Sequence, residues 1–325
     1  QPDPEARMEL ALIMLAAGRD DDALSQVNQI QYETGSNPDA LRLMAIINFR
    51  QQNLDAAWED FQDLLASGRH TMDALYYLAR IADFRGETDR AMLLYTQVEN
   101  GQNAVVSQRR AAAIRALDND DAEGAINRLD EFAKRNPNHA IDIVQAKAQL
   151  LAALERYPES LEYYDRMRDF RPESEGVMLG RAELLLRMER LDEAVDQYRQ
   201  AVDMYPESAL SLNALGYTLA DRTEEYKEAE QLIRKALALD PDSAAIIDSL
   251  GWVLYRLGQY EEALVELNRA YEQLDDPEVA AHIVEVLAAL DRHDEAKALL
   301  EEAEESRPEN ELLKDVRERL FSAND

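Results

Sequence analysis

The sequence predicts an all-α protein, an array of about nine helix–turn–helix units closed by a C-terminal capping helix. Three observations carry this. A small residue recurs at the opening of an acidic helix at Ala23, Ala57, Ala91, Ala125, Ser160, Ala194, Ala229, Ala263 and Ala296, at intervals of 33 to 35 residues. Each interval holds two amphipathic stripes. The 325 residues are 46% apolar with only 7% aromatic, a composition rich in helix formers and better suited to a stacked array than to one large core.

The units lie near residues 4–37, 38–71, 72–105, 106–140, 141–174, 175–208, 209–243, 244–276 and 277–309, with the cap over 310–325, and together they read as a single solenoid over 1–325. In the clearest unit, Ile247, Leu250, Gly251 and Leu254 share one side of a first helix, while Ala263, Leu267 and Ala270 line a second. Between the stripes, Gly258 ends one helix, and Glu261 and Glu262 favour the N-terminus of the next. The small residues let antiparallel backbones approach closely. Pro38, Pro137, Pro172, Pro206, Pro241, Pro277 and Pro308 punctuate the boundaries, where a missing N–H costs little.

This pattern resembles the tetratricopeptide repeat. Leu212, Leu215, Gly216, Leu219, Ala229, Ile233, Ala236 and Pro241 follow the family's order of residues in one unit; Ile247, Leu250, Gly251, Leu254, Ala263, Leu267 and Ala270 follow it in the next. Met178, Leu185, Ala194, Tyr198, Ala201 and Pro206 fit the unit before. The resemblance covers about 300 residues and implies a right-handed superhelical solenoid.

Departures predict local irregularities. Ala stands at the family's glycine position at Ala11, Ala45, Ala79, Ala113, Ala148 and Ala182, and Val284 stands there in the last unit. Arg109 falls where a buried residue is expected, and the turn from Asp221 to Tyr226 holds one extra residue, so 106–140 and 220–226 should deviate. Leu312, Leu313, Val316 and Leu320, at helical spacing, mark the cap. No comparable cap precedes residue 4, and the chain opens with Gln1 rather than Met, so further repeats and an anchor segment are expected N-terminally.

The formal charge is −31, from 66 acidic and 35 basic residues. Even the stretch richest in bases, 106–208, has more acids, so no basic face for nucleic acid or anionic lipid is expected. No apolar run approaches the ~18 residues of a membrane span. There is no cysteine, hence no disulfide or thiolate metal site. His70, His139, His282 and His293 are scattered; His282 with Glu285 reads as a solvated polar pair on the helix surface rather than a zinc site, and no metal or cofactor is predicted. Acid pairs such as Glu261–Glu262 read as solvated charge, so no enzyme is predicted.

The resemblance instead implies a protein-binding groove on the first helices. Positions spaced 3, 4 and 3 place Arg42, Phe49, Tyr76, Arg80, Arg110, Gln145, Gln149 and Glu183 there, followed by Asn213, Tyr217, Asp248, Trp252 and Tyr255 with Arg256 beside them. The last six form the candidate strip, joined by Tyr76, Arg80 and Arg110; Trp252 and Tyr255 read equally well as filling between adjacent helices. The Lys and Asn set of the family's carboxylate clamp is absent. The stretches Asn213–Asp221, Asp248–Gly258 and Asp276–His282 resemble proteobacterial outer-membrane lipoproteins built of such repeats, most closely the pseudomonad kind that serve as adaptors of a periplasmic carboxyl-terminal processing protease. That resemblance implies that protease and its protein substrates as partners, and a periplasmic location with an outer-membrane lipid anchor outside this chain. The alternative is an envelope assembly lipoprotein of a pilus or secretion system using the same groove.

Overall fold

The computed structural model describes residues 3–35 and 37–321; Gln1 and Pro2, Ser36 and the last residues of the expected cap, 322–325, lie outside them. The described residues form 19 α-helices and no strand. They divide into two compact units, residues 1–163 and 164–325.

The first unit contains α1 (Pro4–Ala16) and α2 (Asp20–Thr34), α3 (Pro38–Arg50) and α4 (Leu54–Ala66), α5 (Thr71–Phe84) and α6 (Thr88–Thr96), α7 (Ala104–Ala113) and α8 (Ala122–Arg135), α9 (Ala140–Ala153) and the start of α10 (Tyr157–Phe170). The second holds the rest of α10, then α11 (Glu175–Arg187) and α12 (Leu191–Met204), α13 (Ala209–Arg222) and α14 (Tyr226–Leu239), α15 (Ala244–Arg256) and α16 (Tyr260–Gln273), α17 (Pro277–Ala289) and α18 (His293–Ser306), and finally α19 (Glu311–Phe321). No helix among the described residues is long and apolar enough to cross a membrane.

Sequence chemistry sets the ends of these helices. Asp3, Asn37 and Asp276 accept hydrogen bonds from main-chain N–H groups of the first turn, each just before a proline at the start of its helix. The turns within repeats place one residue in the left-handed region. It is a glycine at Gly18, Gly86 and Gly258, but Gln52, Asp120, Glu155, Glu189 and Asp291 take the same conformation elsewhere.

All nine repeating small residues, Ala23 through Ala296 with Ser160 among them, are fully buried. Ser160 keeps its hydroxyl satisfied by donating to the Ala148 carbonyl at 2.7 Å. Opposite them, Gly216 and Gly251 sit so close to the second helices that a Cβ would lie 2.7 Å from Ile233 Cγ1 and 2.5 Å from Leu267 Cγ respectively. A methyl group does fit at Ala45 and Ala79, which are buried in the first unit.

Both expected irregularities occur. α6 stops at Thr96, and α7 ends in a π turn over Ile114–Asp118 that absorbs one residue. Through this slip Ala112 rather than Ala113 is buried, and the buried polar residues are Ser107 and Gln108, the latter's amide donating to the carbonyls of Tyr95, Thr96 and Val98 at 3.4, 3.3 and 3.0 Å. Arg109, placed inside by its sequence position, is instead exposed and donates to Gln149. In the turn after α13, Thr223 is extended rather than left-handed, and its hydroxyl donates to the Leu219 carbonyl while accepting from the N–H of Glu225. The cap forms as α19, which buries Leu313 and Val316 while Leu312 stays exposed.

Candidate protein-binding grooves

Within the second unit α13 packs on α15 and α15 on α17, so three first helices lie side by side. Two grooves run along them. The larger, about 530 Å³, is lined by Asn213, Tyr217, Asp221 and Glu278 among others; the smaller, about 510 Å³, shares Tyr217, Asp221 and Glu278 and adds Trp252, Tyr255 and Arg256. Tyr217 and its neighbours therefore stand on the ridge between them.

Two residues of the expected strip are not on the open surface. Asp248 and Trp252 are each only 6% exposed, because α17 covers them with His282. The imidazole stacks on the Trp252 ring at 4.2 Å, and its Nδ1 lies 2.9 Å from Asp248 Oδ1. His282 is thus the buried partner of Asp248 rather than a solvated neighbour of Glu285, which pairs with Arg319 instead. Burial by itself disfavours the imidazolium, but the hydrogen bond to Asp248 and the carboxylates of Asp248, Glu278 and Glu285 outweigh it and raise the His282 pKa above its ordinary value. Helical spacing put Asp248 and Trp252 in an open strip on the concave wall, because spacing within one helix cannot tell that the next first helix will cover them.

The other four residues border the grooves. Asn213 and Tyr255 are half-buried, and Tyr217 donates its hydroxyl to Glu278 Oε1 at 2.5 Å. Burial, followed by the Glu278 carboxylate, pushes the Tyr217 phenol far upward, so it remains a donor. Arg256 donates to the main-chain oxygen of Asp221 and to the Tyr226 hydroxyl, at 3.1 and 2.8 Å.

Tyr76, Arg80 and Arg110 lie apart from these, in the first unit. The Arg80 guanidinium rests over the rings of Phe49 and Tyr76, 4.6 and 5.7 Å from their centroids. Arg110 makes two 2.7 Å hydrogen bonds to Asp83, and this guanidinium holds the Asp83 carboxyl below the usual carboxylate range despite partial burial. Arg109, Arg110 and Gln149 line a separate groove of about 370 Å³ with Val106 and Leu117. Among the described residues no group of three potential metal-ligating side chains occurs.

Sequence profiles of the tetratricopeptide repeat match residues 42–104, 110–175 and 179–244, and a second profile of the same repeat matches 222–283. The chain belongs to the tetratricopeptide repeat family. Its repeats make a scaffold for protein–protein interaction. A repeat-containing protein of this family from Pseudomonas aeruginosa is 30% identical over 215 residues, which cover 66% of this chain and 36% of that protein, so the chain spans about a third of its relative's length. A crystal structure of a tetratricopeptide repeat protein from Parabacteroides merdae shares the fold, with a TM-score of 0.55 and 17% identity over 88% of this chain and 98% of the other.

Asp221, Glu278 and His282 were missed as groove residues in the sequence. Asp221 lies in the irregular turn region, and Glu278 in the first turn of α17, where an acid ordinarily serves the helix N-terminus.

Proposed function

We propose that this chain is the protein-binding part of an adaptor that binds and activates a periplasmic carboxyl-terminal processing protease and brings protein substrates to it. The observation that carries the binding role is the pair of adjoining grooves on α13, α15 and α17, with an aromatic and carboxylate ridge between them. Such a surface offers an extended polypeptide both apolar cover and polar contacts. The protease and substrate roles are supported by the resemblance of Asn213–Asp221, Asp248–Gly258 and Asp276–His282 to envelope lipoproteins of this kind. On this reading the chain works in the periplasm, held near the outer membrane by a lipid anchor outside the sequence described, and performs no chemistry itself.

Two measurements test the proposal. The purified chain, mixed with a purified protease of this class, should co-elute with it on size exclusion and raise its rate of proteolysis. Absence of both effects, with pilus or secretion components retained from an envelope extract instead, would replace the protease with an assembly role for the same grooves.

A further inference from the structure

The two units offer different chemistry to a partner. The grooves of the second are lined by several carboxylates, Asp221 and Glu278 among them. In the first unit α7 and α9 lie side by side, and the groove of about 370 Å³ along them has no acidic residue in its wall, although the whole chain carries a charge of −31.

The apolar part of this groove is open. Val106 on α7 and Leu117 in the π turn are each 50% exposed, and Ala113 and Leu150 continue the lining. The polar edge carries donors. Arg109 Nη2 donates to Gln149 Oε1 at 2.6 Å, and among the described residues no carboxylate lies within ion-pair distance of Arg109. That contact engages the oxygen of the Gln149 amide, so its NH2 group and the other guanidinium N–H groups of Arg109 are left to donate. The neighbouring cation, Arg110, is already matched by Asp83, which lies outside the groove wall.

A regular repeat would bury an apolar side chain at position 109. The π turn over Ile114–Asp118 instead supplies Leu117 to the groove, and through the same slip Arg109 is exposed in its wall. Single π turns inside helices are rare and recur at functional sites. Here the irregularity, an unmatched guanidinium and two half-exposed apolar side chains fall in one place.

A small anion would satisfy Arg109 but leave Val106 and Leu117 in water, and a purely apolar peptide would leave the guanidinium unmatched. We infer that the α7–α9 groove docks a segment of a partner protein in which an aspartate or glutamate stands beside large apolar side chains. The carboxylate takes the donors of Arg109 and Gln149, while the apolar side chains cover Val106 and Leu117. The acidity of the rest of the chain opposes this little at physiological salt, because charges farther away than about 8 Å are largely screened. This site is separate from the grooves of the second unit and stands or falls independently of them.

Selection from a library of random twelve-residue peptides displayed on phage, with the full chain as bait, tests the inference. Each enriched peptide is remade with blocked ends and a fluorescent label, and its binding is read by anisotropy. Peptides whose binding is lost with Leu117→Ser should carry Asp or Glu next to Leu, Ile, Val or Phe. Replacing that acid by its amide should weaken binding about tenfold, the loss of a charge-assisted contact. Arg109→Gln should weaken the acidic peptide by a similar factor and leave the amide form unchanged, whereas Arg109→Lys, which keeps the charge, should retain part of the preference. Circular dichroism shows whether each variant is folded, and Val106→Ser takes the place of Leu117→Ser if the latter is not. No enriched peptide that depends on these residues, dependent peptides without an acid, or an acid preference undiminished by Arg109→Gln would overturn the inference. If laurate, an apolar chain with one carboxylate, binds in an Arg109-dependent way while no peptide does, the groove takes a lipid and the inference is likewise overturned.

Discussion

The first unit keeps its acid–base contact at the surface, whereas the second buries one. Side-chain exposure is 46% and 22% for Arg110 and Asp83, against 8% and 9% for His282 and Asp248. Repeated helices supply similar positions in both units, but the cover supplied by the neighbouring helix decides what a contact there is worth. An exposed pair gains little over two hydrated charges, while a buried one leaves an uncompensated polar group behind when broken. The comparison can be broken at either end.

The largest effect is expected at the buried end. His282→Ala removes both the partner of Asp248 and the ring stacked on Trp252, and should lower stability by about 3–5 kcal/mol, against at most ~1 kcal/mol for Arg110→Ala, as read from denaturant midpoints. Trp252→Ala should fall in the same large class, about 3–5 kcal/mol, because the ring fills the seam between α15 and α17. Similar small losses at His282 and Arg110 would erase the distinction.

Acidity separates the two contacts by sign. The folded-state pKa of His282 is raised, so its stabilisation is complete below the unfolded value of about 6.5 and is lost as pH climbs through the raised folded value. Asp83 is lowered, so its contribution is complete above about 3.9 and is lost as pH falls through the lowered folded value. The melting-temperature gap between the unaltered chain and His282→Gln should therefore be widest near pH 6 and narrow toward pH 9. A gap that widens with pH would reverse the assignment.

Packing differs between the units in a smaller way. Gly251→Ala would push a methyl group into Leu267 and to 3.2 Å from the Ala263 carbonyl, and should cost about 1–2 kcal/mol even after the helix gains from alanine. Ala263→Leu, on the facing helix, should cost about 1–3 kcal/mol by the same crowding. Smallest is a gain: Glu155, at φ 57°, occupies the turn position held by Gly258 in the second unit, so Glu155→Gly should stabilise by about 0.5–1 kcal/mol in thermal melts.

Periodicity made the array legible because a helix crossing admits only small side chains, and the nine small residues mark every crossing. The irregular regions were legible as places, not as structures. Arg109 signalled a fault in the repeat near 106–140, but whether a chain absorbs a residue by a π turn, thereby burying Gln108 instead, depends on the short α6 beside it. The groove was half legible. Spacing found Tyr217 and Tyr255 on the ridge and wall, yet it could not show that α17 would lay His282 over Asp248 and Trp252, since that cover comes from a helix more than twenty residues onward.

The measurement that reaches the central claim most directly is hydrogen–deuterium exchange of the chain alone and with its protein partner bound. If the partner lies in the grooves of the second unit, added protection should concentrate on α13, α15 and α17, the helices that form them, and spare α14, α16 and α18. Protection confined to the second helices, with α13, α15 and α17 exchanging as in the free chain, would contradict it.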